Sequence, residues 1–328
     1  MIPDSAARVV FDDRGDRRVV TVSGPHMDMC GLRDDTETFE TRFSMEFLEL
    51  LLALKGPVYF KDEINRSEAP AYIEEPMREM MRPIVALDGA SIMDFGCGAG
   101  GSSVCLGRLG ATEVHGVEID GGLARLARLR VRDSGFEDAI TVHHFERTDP
   151  LPFDDGGFDI VICNAVLEHI HPRMRGAHLG EMWRVLKRGG FLFVFETPNR
   201  IWPIDGHTTG LPFVPYLPVG LARRYAILFS RRVGRDDSVE DLIDRGIRGV
   251  TYREIKRRLP GCAYVPNNDI ARYFGSAPAG ESPLRRSAKA AARAGYTILE
   301  ATACRVLRVP VAALLPRLSL CFRKGWDG

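Results

Sequence analysis

The sequence predicts an α/β fold built on a doubly wound, mostly parallel sheet. Apolar segments alternate with helical ones between residues 88 and 200, an order that gives parallel strands joined by right-handed crossovers. In addition, the apolar segment Ile92–Phe95 runs into the glycine-rich turn Gly96–Gly100, a strand-to-helix turn of the kind that holds nucleotide-like cofactors. Strands are predicted near 90–95, 113–118, 139–143, 157–163 and 190–196, and helices near 101–110, 121–133, 165–170 and 176–187.

The N-terminal segment is expected to add a hairpin and helices to this sheet. Residues 8–22 contain two short β-type segments around a polar, turn-like cluster, which predicts a hairpin. Apolar residues at helical spacing predict an amphipathic helix over 36–55, ended by Gly56-Pro57. A second helix is predicted over 70–87.

The composition changes after residue 197. Residues 197–212 are too rich in Pro and Gly for regular structure, and an apolar segment containing arginines follows them. A helix is predicted at 251–259, strand six at 262–265 and strand seven at 318–322. The predicted division is an N-terminal hairpin and helical cap (1–88), a cofactor-binding core (89–200), a substrate-binding lid with strand six (201–312) and a C-terminal strand completing the sheet (313–328).

Composition narrows the class of protein. The chain has 328 residues, a formal net charge of zero and 45% hydrophobic residues, values that are ordinary for a globular protein and give no bulk attraction to nucleic acid. Its seven cysteines are scattered without a Cys-x-x-Cys pair, which indicates reduced thiols and no structural zinc. The charged N-terminus does not resemble a signal peptide, and no apolar run is long enough to span a bilayer. We therefore expect a cytoplasmic protein that can lie peripherally on the inner membrane face.

Polar residues stand at the ends of the predicted strands. They are Asp94, Glu118, Glu146, Asn164 and Glu196. Because ligands of such sheets bind outside the carboxyl ends of the strands, a ligand site is expected at this edge.

Several segments carry a family resemblance. Asp94–Gly100 resembles motif I of the class I S-adenosylmethionine (SAM) dependent methyltransferases, Asp/Glu-x-Gly-x-Gly-x-Gly. Three later segments are similar to that family in order and spacing, particularly to its methyltransferase type 11, or ubiquinone- and menaquinone-biosynthesis-like, members. They are Val114–Asp120, Leu151–Ile170 and Arg184–Val194. The resemblance implies a seven-stranded Rossmann-like sheet with strand seven antiparallel, SAM as cofactor and S-adenosylhomocysteine as product.

The resemblance also assigns residues to SAM. It places Glu118 on the ribose hydroxyls, with Asp120 as an alternative, and gives Asp94 the orientation of the turn and of the SAM ammonium. Glu146 is the better match for the adenine contact, with Asp149 behind it, although the sequence around them is one residue longer than the family pattern. The predicted cofactor set is Asp94, Gly96, Cys97, Gly98, Gly100, Glu118, Ile119, Glu146, Arg147 and, near the methyl group, Asn164.

Two histidines are candidates for the catalytic base. His207 lies in a loop beyond strand five and has the intrinsic pKa to accept a hydroxyl proton, and Asp205 can orient it. His169, after the fourth strand, is the second candidate, with packing or hydrogen bonding as its alternative role. Asp205 and His207 can also bind a divalent ion, but the sequence shows no third clustered ligand, so no metal is predicted.

The acceptor must be inferred from the insertions. The loop 197–211 resembles bacterial methyltransferases of glycan or lipid-linked biosynthesis, which favours O-methylation of a sugar, a lipid-linked saccharide or another small amphiphile. The apolar, arginine-containing segment 211–232 and the basic C-terminal segment from Glu281 are typical of peripheral membrane contact, with a helical lid as the alternative.

Two other functions stay open. One is C-methylation of a quinone-type substrate, which needs no strong base, and the other is SAM binding without turnover. A nucleic-acid acceptor is not expected, because Asn164-Ala165-Val166-Leu167 replaces an Asn-Pro-Pro-Tyr-like motif. The sequence does not indicate the oligomeric state of the protein.

Overall fold

The computed structural model describes residues 7–28, 31–266, 306 and 308–325, and the chain divides into two compact units, Met1–Ile162 and Cys163–Gly328. Its strands and helices confirm the predicted α/β fold class. The first unit contains β1 (Arg8–Asp13), β2 (Arg18–Asp28), β3 (Gly31–Thr41), α1 (Met45–Glu68), α2 (Glu74–Met81), β4 (Ser91–Phe95), α3 (Gly101–Arg108), β5 (Glu113–Glu118), α4 (Gly121–Asp133), β6 (Ile140–His144) and most of β7 (Phe158–Asn164).

An antiparallel sheet in the order β1-β2-β3 opens the first unit. The predicted hairpin is therefore confirmed, but the helix predicted over 36–55 is wrong in its first part. Strand β3 pairs with β2 from Asp28 opposite Gly31 to Arg18 opposite Thr41, so this segment forms a ladder instead of a helix. Helix α1 begins only after Ser44, whose hydroxyl caps it by accepting the N–H of Phe47 at 3.2 Å.

Helix α1 continues beyond its predicted end. Gly56 has φ 68° and interrupts the helical conformation just before Pro57, and the chain then resumes helical structure as far as Glu68. Gly56-Pro57 thus marks a kink instead of a terminus. The buried side chain of Arg130 in α4 donates to Ser67 Oγ at 2.8 Å and to the Glu63 carbonyl at 3.0 Å, which joins the second half of α1 to α4.

Parallel pairing within the first unit brings together the strand ends that carry predicted cofactor residues. Asp94 of β4 lies opposite Gly116 of β5 on one side and Ile162 of β7 on the other, and β5 pairs in parallel with β6. The positions of these strands and of α3 and α4 agree with the sequence prediction to within one or two residues.

The second unit differs from the prediction at its start, where the helix expected over 165–170 is a series of turns. Its helices are α5 (Arg175–Val185), α6 (Val219–Phe229), α7 (Val239–Asp244) and α8 (Tyr252–Lys256), and its strands are β8 (Leu186–Pro198), β9 (Cys262–Val265) and β10 (Arg317–Lys324). The larger sheet has the strand order β6-β5-β4-β7-β8-β10-β9. Strand β10 is antiparallel to both β8 and β9, as expected for strand seven.

Two predictions concern membranes. Within the described ranges, no helix combines the length and the apolar character that crossing a bilayer requires. Most of the basic positions in the predicted C-terminal basic segment lie outside the described residues. The predicted four-part division of the chain stays a prediction.

Candidate functional site

The glycine turn after β4 exposes bare backbone. Gly96, Gly98 and Gly100 have φ of 71°, 56° and 81°, values that favour glycine. The N–H groups of Gly96 and Cys97 donate to the Val117 carbonyl at 2.8 and 3.0 Å, which fixes the turn to the end of β5. A Cβ built on Gly98 would meet no atom within 4 Å, so open space lies beside this peptide, where a ligand can approach.

Asp94 organises the start of α3 from inside the protein. Its side chain is fully buried, and its Oδ2 accepts the hydroxyls of Ser102 and Ser103 at 2.6 and 2.7 Å. Its Oδ1 is buried without a hydrogen-bond partner among the described residues. Burial raises the pKa of this carboxyl, and the two serine hydroxyls oppose the shift. Asp94 therefore orients the turn through the first residues of α3.

Glu118 joins the end of β5 to the glycine turn. Its Oε2 accepts the N–H of Gly98 at 2.8 Å, and its Oε1 accepts those of Ile119 and Asp120 at 2.8 and 2.9 Å. A carboxylate offers about four acceptor positions, so these three bonds leave capacity on Oε2 for a ligand hydroxyl.

The neighbours of Glu118 have separate roles. Asp120 caps α4, because its side chain accepts the N–H of Leu123 at 2.8 Å. This capping role explains the presence of an acid at position 120 without any contact to a ligand. Ile119 is 59% exposed, unusual for an isoleucine, and presents an apolar surface beside Glu118.

The remaining predicted cofactor residues have less distinctive surroundings. Glu146 and Arg147 are exposed just after β6, where the N–H of Phe145 donates to the Glu118 carbonyl at 3.0 Å. Cys97 is buried, and burial raises the pKa of its thiol, so it acts as a small apolar residue. Asn164 ends β7 and is half-buried.

A cavity of about 150 Å³ lies within the second unit. Its lining combines apolar side chains with positive charge, and both Asp205 and His207 contribute to it. The side chains most relevant to a ligand are Arg200, Trp202, Ile204, His207 and Arg317.

Asp205 stabilises the loop that carries His207. Its carboxylate accepts the N–H groups of Thr208 and Thr209 at 3.0 and 2.9 Å and the Thr209 hydroxyl at 2.8 Å. Within the described part of the chain it makes no hydrogen bond to His207, so the expected orientation of the imidazole by Asp205 is not observed.

Folding brings His169 and His207 together, with ring centroids 5.5 Å apart. Glu168, which the sequence analysis did not select, completes a cluster with them. Desolvation, followed by the neighbouring His169, lowers the pKa of His207 to about 4, and burial raises the pKa of Glu168 to about 7. Glu168 becomes a candidate only in the folded structure, where His207 lies close to the Glu168-His169 pair. In the sequence, a Glu-His pair alone does not indicate a functional site.

Comparisons with known proteins relate part of the chain to methyltransferases. Residues 93–194 match a family model described as a methyltransferase domain. The ubiquinone biosynthesis O-methyltransferase of Xanthomonas campestris pv. campestris (strain B100) is 34% identical over 134 residues, 40% of this chain and 54% of the relative. The protein of the same name from Xanthomonas euvesicatoria pv. vesicatoria (strain 85-10) is 34% identical over 170 residues, 52% of this chain and 67% of the relative.

A solved SAM-dependent methyltransferase from Methanosarcina mazei is 28% identical, with a TM-score of 0.32, and the match covers 36% of this chain and 57% of that one. The chain thus spans about half the length of the first of the curated relatives that it matches.

Proposed function

The chain belongs to the class I SAM-dependent methyltransferases, and we propose that it transfers the methyl group of SAM to a hydroxyl oxygen of a small amphiphilic acceptor. The observation that carries this proposal is the bond from Gly98 N–H to Glu118 Oε2, 2.8 Å long. This bond joins the glycine turn, where open space lies beside the backbone of Gly98, to a carboxylate that can accept a further hydrogen bond. The arrangement is suited to a ribose that lies against this backbone and donates a hydroxyl to Glu118.

In this proposal the first unit holds SAM by three kinds of contact. Glu118 accepts a ribose hydroxyl, and the exposed side chain of Ile119 packs against the adenine. Helix α3 begins at Gly101 after the N-cap residue Gly100, which has no side chain to cap the first-turn N–H groups. Those N–H groups are therefore available to the carboxylate of SAM. Glu146 and Arg147 are proposed on the adenine side.

The reacting sulfonium belongs to SAM, so the protein must position the acceptor and handle its hydroxyl proton. We place this task at His207, which lines the cavity of the second unit. With a pKa near 4, its imidazole is neutral at pH 7 and can accept a hydrogen bond. It is nevertheless a weak base, and a base is most effective when its pKa lies near the working pH.

The low basicity of His207 affects which kind of acceptor hydroxyl it can deprotonate. A phenolic hydroxyl, with a pKa of about 10 like that of tyrosine, loses its proton far more readily than a sugar hydroxyl. We therefore favour a phenolic amphiphile over a saccharide. The printed name of the relatives, ubiquinone biosynthesis O-methyltransferase, supports transfer to oxygen over transfer to a ring carbon.

An exposed apolar surface on α6 supports an amphiphilic acceptor. Leu221, Leu228 and Phe229 are 51%, 75% and 65% exposed, and Arg224 and Arg231 are exposed beside them. Apolar side chains flanked by arginines favour the surface of an anionic bilayer. We propose that this surface, the α6 face, rests on such a bilayer, from which a lipid-like acceptor is drawn.

Methyl transfer from labelled SAM into a fractionated extract of the source cells tests the proposal. We expect label in the lipid fraction, carried as an O-methyl ether on a phenol, from which hydriodic acid releases the label as methyl iodide. The variant His207→Ala is expected to bind SAM normally and to lose transfer. Label in a saccharide, or on a ring carbon, would reject the phenolic acceptor, and wild-type rates with His207→Ala would remove His207 from the reaction.

A further inference from the structure

The carboxylate of Glu168 is an unusual group inside the second unit. The side chain is fully buried, and neither Oε1 nor Oε2 has a hydrogen-bond partner among the described residues. Arg175 is close, but its guanidinium donates to the backbone carbonyls of Glu168, Ile170 and Gly249. A buried carboxylate without a partner is costly, so it requires either a proton or a cation.

The ring nitrogen of His169 that carries no hydrogen lies near this carboxylate. Its Nδ1 lies 2.7 Å from the Asp244 carbonyl, and because a carbonyl only accepts, Nδ1 must carry the hydrogen. The other ring nitrogen, Nε2, is therefore free to act as a ligand, and it lies 4.0 Å from Glu168 Oε1. A backbone carbonyl that fixes the tautomer in this way is the usual support for a metal-binding histidine.

His207 supplies a third donor. The ligand atoms of Glu168, His169 and His207 all lie within 4.8 Å of one another. Both histidines are partly open to solvent, which gives an ion a path to the buried carboxylate.

Gly246 makes this close approach possible. A Cβ at this position would lie 3.0 Å from His207 Cδ2 and 3.2 Å from Glu168 Cβ and Cγ. With φ of 86°, the glycine lets the chain after α7 pass beside both side chains. A larger residue here would require the side chain of His207 or of Glu168 to shift.

We propose that Glu168, His169 and His207 form a binding site for a divalent transition-metal cation of the Zn²⁺ class. Two imidazoles and one carboxylate are a ligand set for such ions, whereas Mg²⁺ and Ca²⁺ prefer oxygen ligands. Ligands about 2.1 Å from a tetrahedral ion stand about 3.4 Å apart. The Nε2–Oε1 distance of 4.0 Å therefore needs to shorten by well under 1 Å.

Three protein ligands leave a fourth position for another molecule. His207 and Gly246 both line the cavity of the second unit, so a ligand in that cavity can reach the ion. A hydroxyl bound to such an ion loses its proton more readily, so with the ion bound His207 would serve as a ligand and not as the base. This last role rests on the proposed function, whereas metal binding itself does not.

Metal titration of the full chain tests the site. Protein freed of metal by chelator is titrated with Zn²⁺ in a calorimeter and with Co²⁺ by visible absorption. We expect one ion per chain and the intense absorption of four-coordinate Co²⁺. Glu168→Gln and His207→Ala each remove one ligand and are expected to weaken binding more than about 100-fold, beyond the about 10- to 100-fold loss for groups that only support a ligand.

His171→Ala is the matched control, since this histidine is two residues from His169, is exposed and is outside the cluster. It is expected to bind Zn²⁺ as the wild type does. The affinity for SAM confirms that each variant is folded, and it also separates a failed metal site from a failed cofactor site. Wild-type protein that binds no stoichiometric Zn²⁺ or Co²⁺, or folded ligand variants with wild-type affinity, would overturn the proposal.

Discussion

Glu118 accepts the backbone N–H of Gly98 at 2.8 Å, so the acid that ends β5 is bonded directly to the glycine turn that follows β4. The two residues belong to different strand-turn segments, and the bond fixes their relative position before any ligand arrives. A carboxylate that is already held in place loses little conformational freedom when it binds a ribose.

Replacing this acid should weaken the binding of SAM. We expect Glu118→Ala to cost about 1–3 kcal/mol of binding free energy, the contribution of charge-assisted hydrogen bonds, as measured by calorimetric titration. Asp120→Ala is the control, because Asp120 caps α4. It should lower the free energy of unfolding by about 0.5–2 kcal/mol and leave SAM affinity unchanged. Equal affinities for Glu118→Ala and the wild type would reject the ribose assignment.

Gly100 should not tolerate a side chain. Its φ is 81°, and an added Cβ would stand 3.1 Å from Ala127 Cα. Gly100→Ala is therefore expected to lower the free energy of unfolding by about 1–3 kcal/mol, measured in urea. Gly180→Ala is the matched control, since Gly180 lies inside α5 with no atom within 4 Å of an added Cβ. It should stabilise the protein by about 0.5–1 kcal/mol, and an equal loss in both variants would contradict this account of the turn.

The buried carboxyl of Asp94 should make stability depend on pH. Burial raises its pKa in the folded protein, so the stability it contributes is fully present below the unfolded value, about 3.9, and is lost as the pH rises through the folded pKa. Relative to Asp94→Asn, the wild type should therefore become less stable between pH 4 and neutral pH, as measured by urea unfolding without SAM. A constant difference across that range would show that Asp94 ionises normally.

The α6 face should bind membranes. Leu228→Ser combined with Phe229→Ser is expected to reduce co-sedimentation with anionic phospholipid vesicles by at least about tenfold, because each such side chain that leaves water contributes about 1.5–3 kcal/mol. Val10→Ser, at a position that is 61% exposed in β1, serves as the control and should bind as the wild type does. If the double variant also binds like the wild type, the α6 face is not a membrane surface.

The elements that the sequence predicted well have local signals. The turn after β4 needs positive φ at three glycines, and glycine is the residue that supplies it. The start of α4 likewise follows from a capping aspartate, Asp120, which local sequence shows. Such features depend on neighbours in the chain, so they could be predicted without a structure.

The features that the sequence missed depend on distant partners. The spacing of Phe39 and Phe43 fits a helix, yet Phe39 lies in β3 because β2 offers a ladder along that whole segment. The cluster of Glu168, His169 and His207 was missed for the same reason. Glu168 precedes His169 directly, but the third member, His207, and the glycine packed against it, Gly246, come from separate later segments.

Titration of the wild-type chain with SAM tests the central claim most directly, because the roles of the glycine turn and of Glu118 both depend on it. The account predicts one molecule of SAM bound per chain, competition by S-adenosylhomocysteine, and the same affinity in His207→Ala. Absence of binding at millimolar SAM by a folded wild-type protein would contradict it.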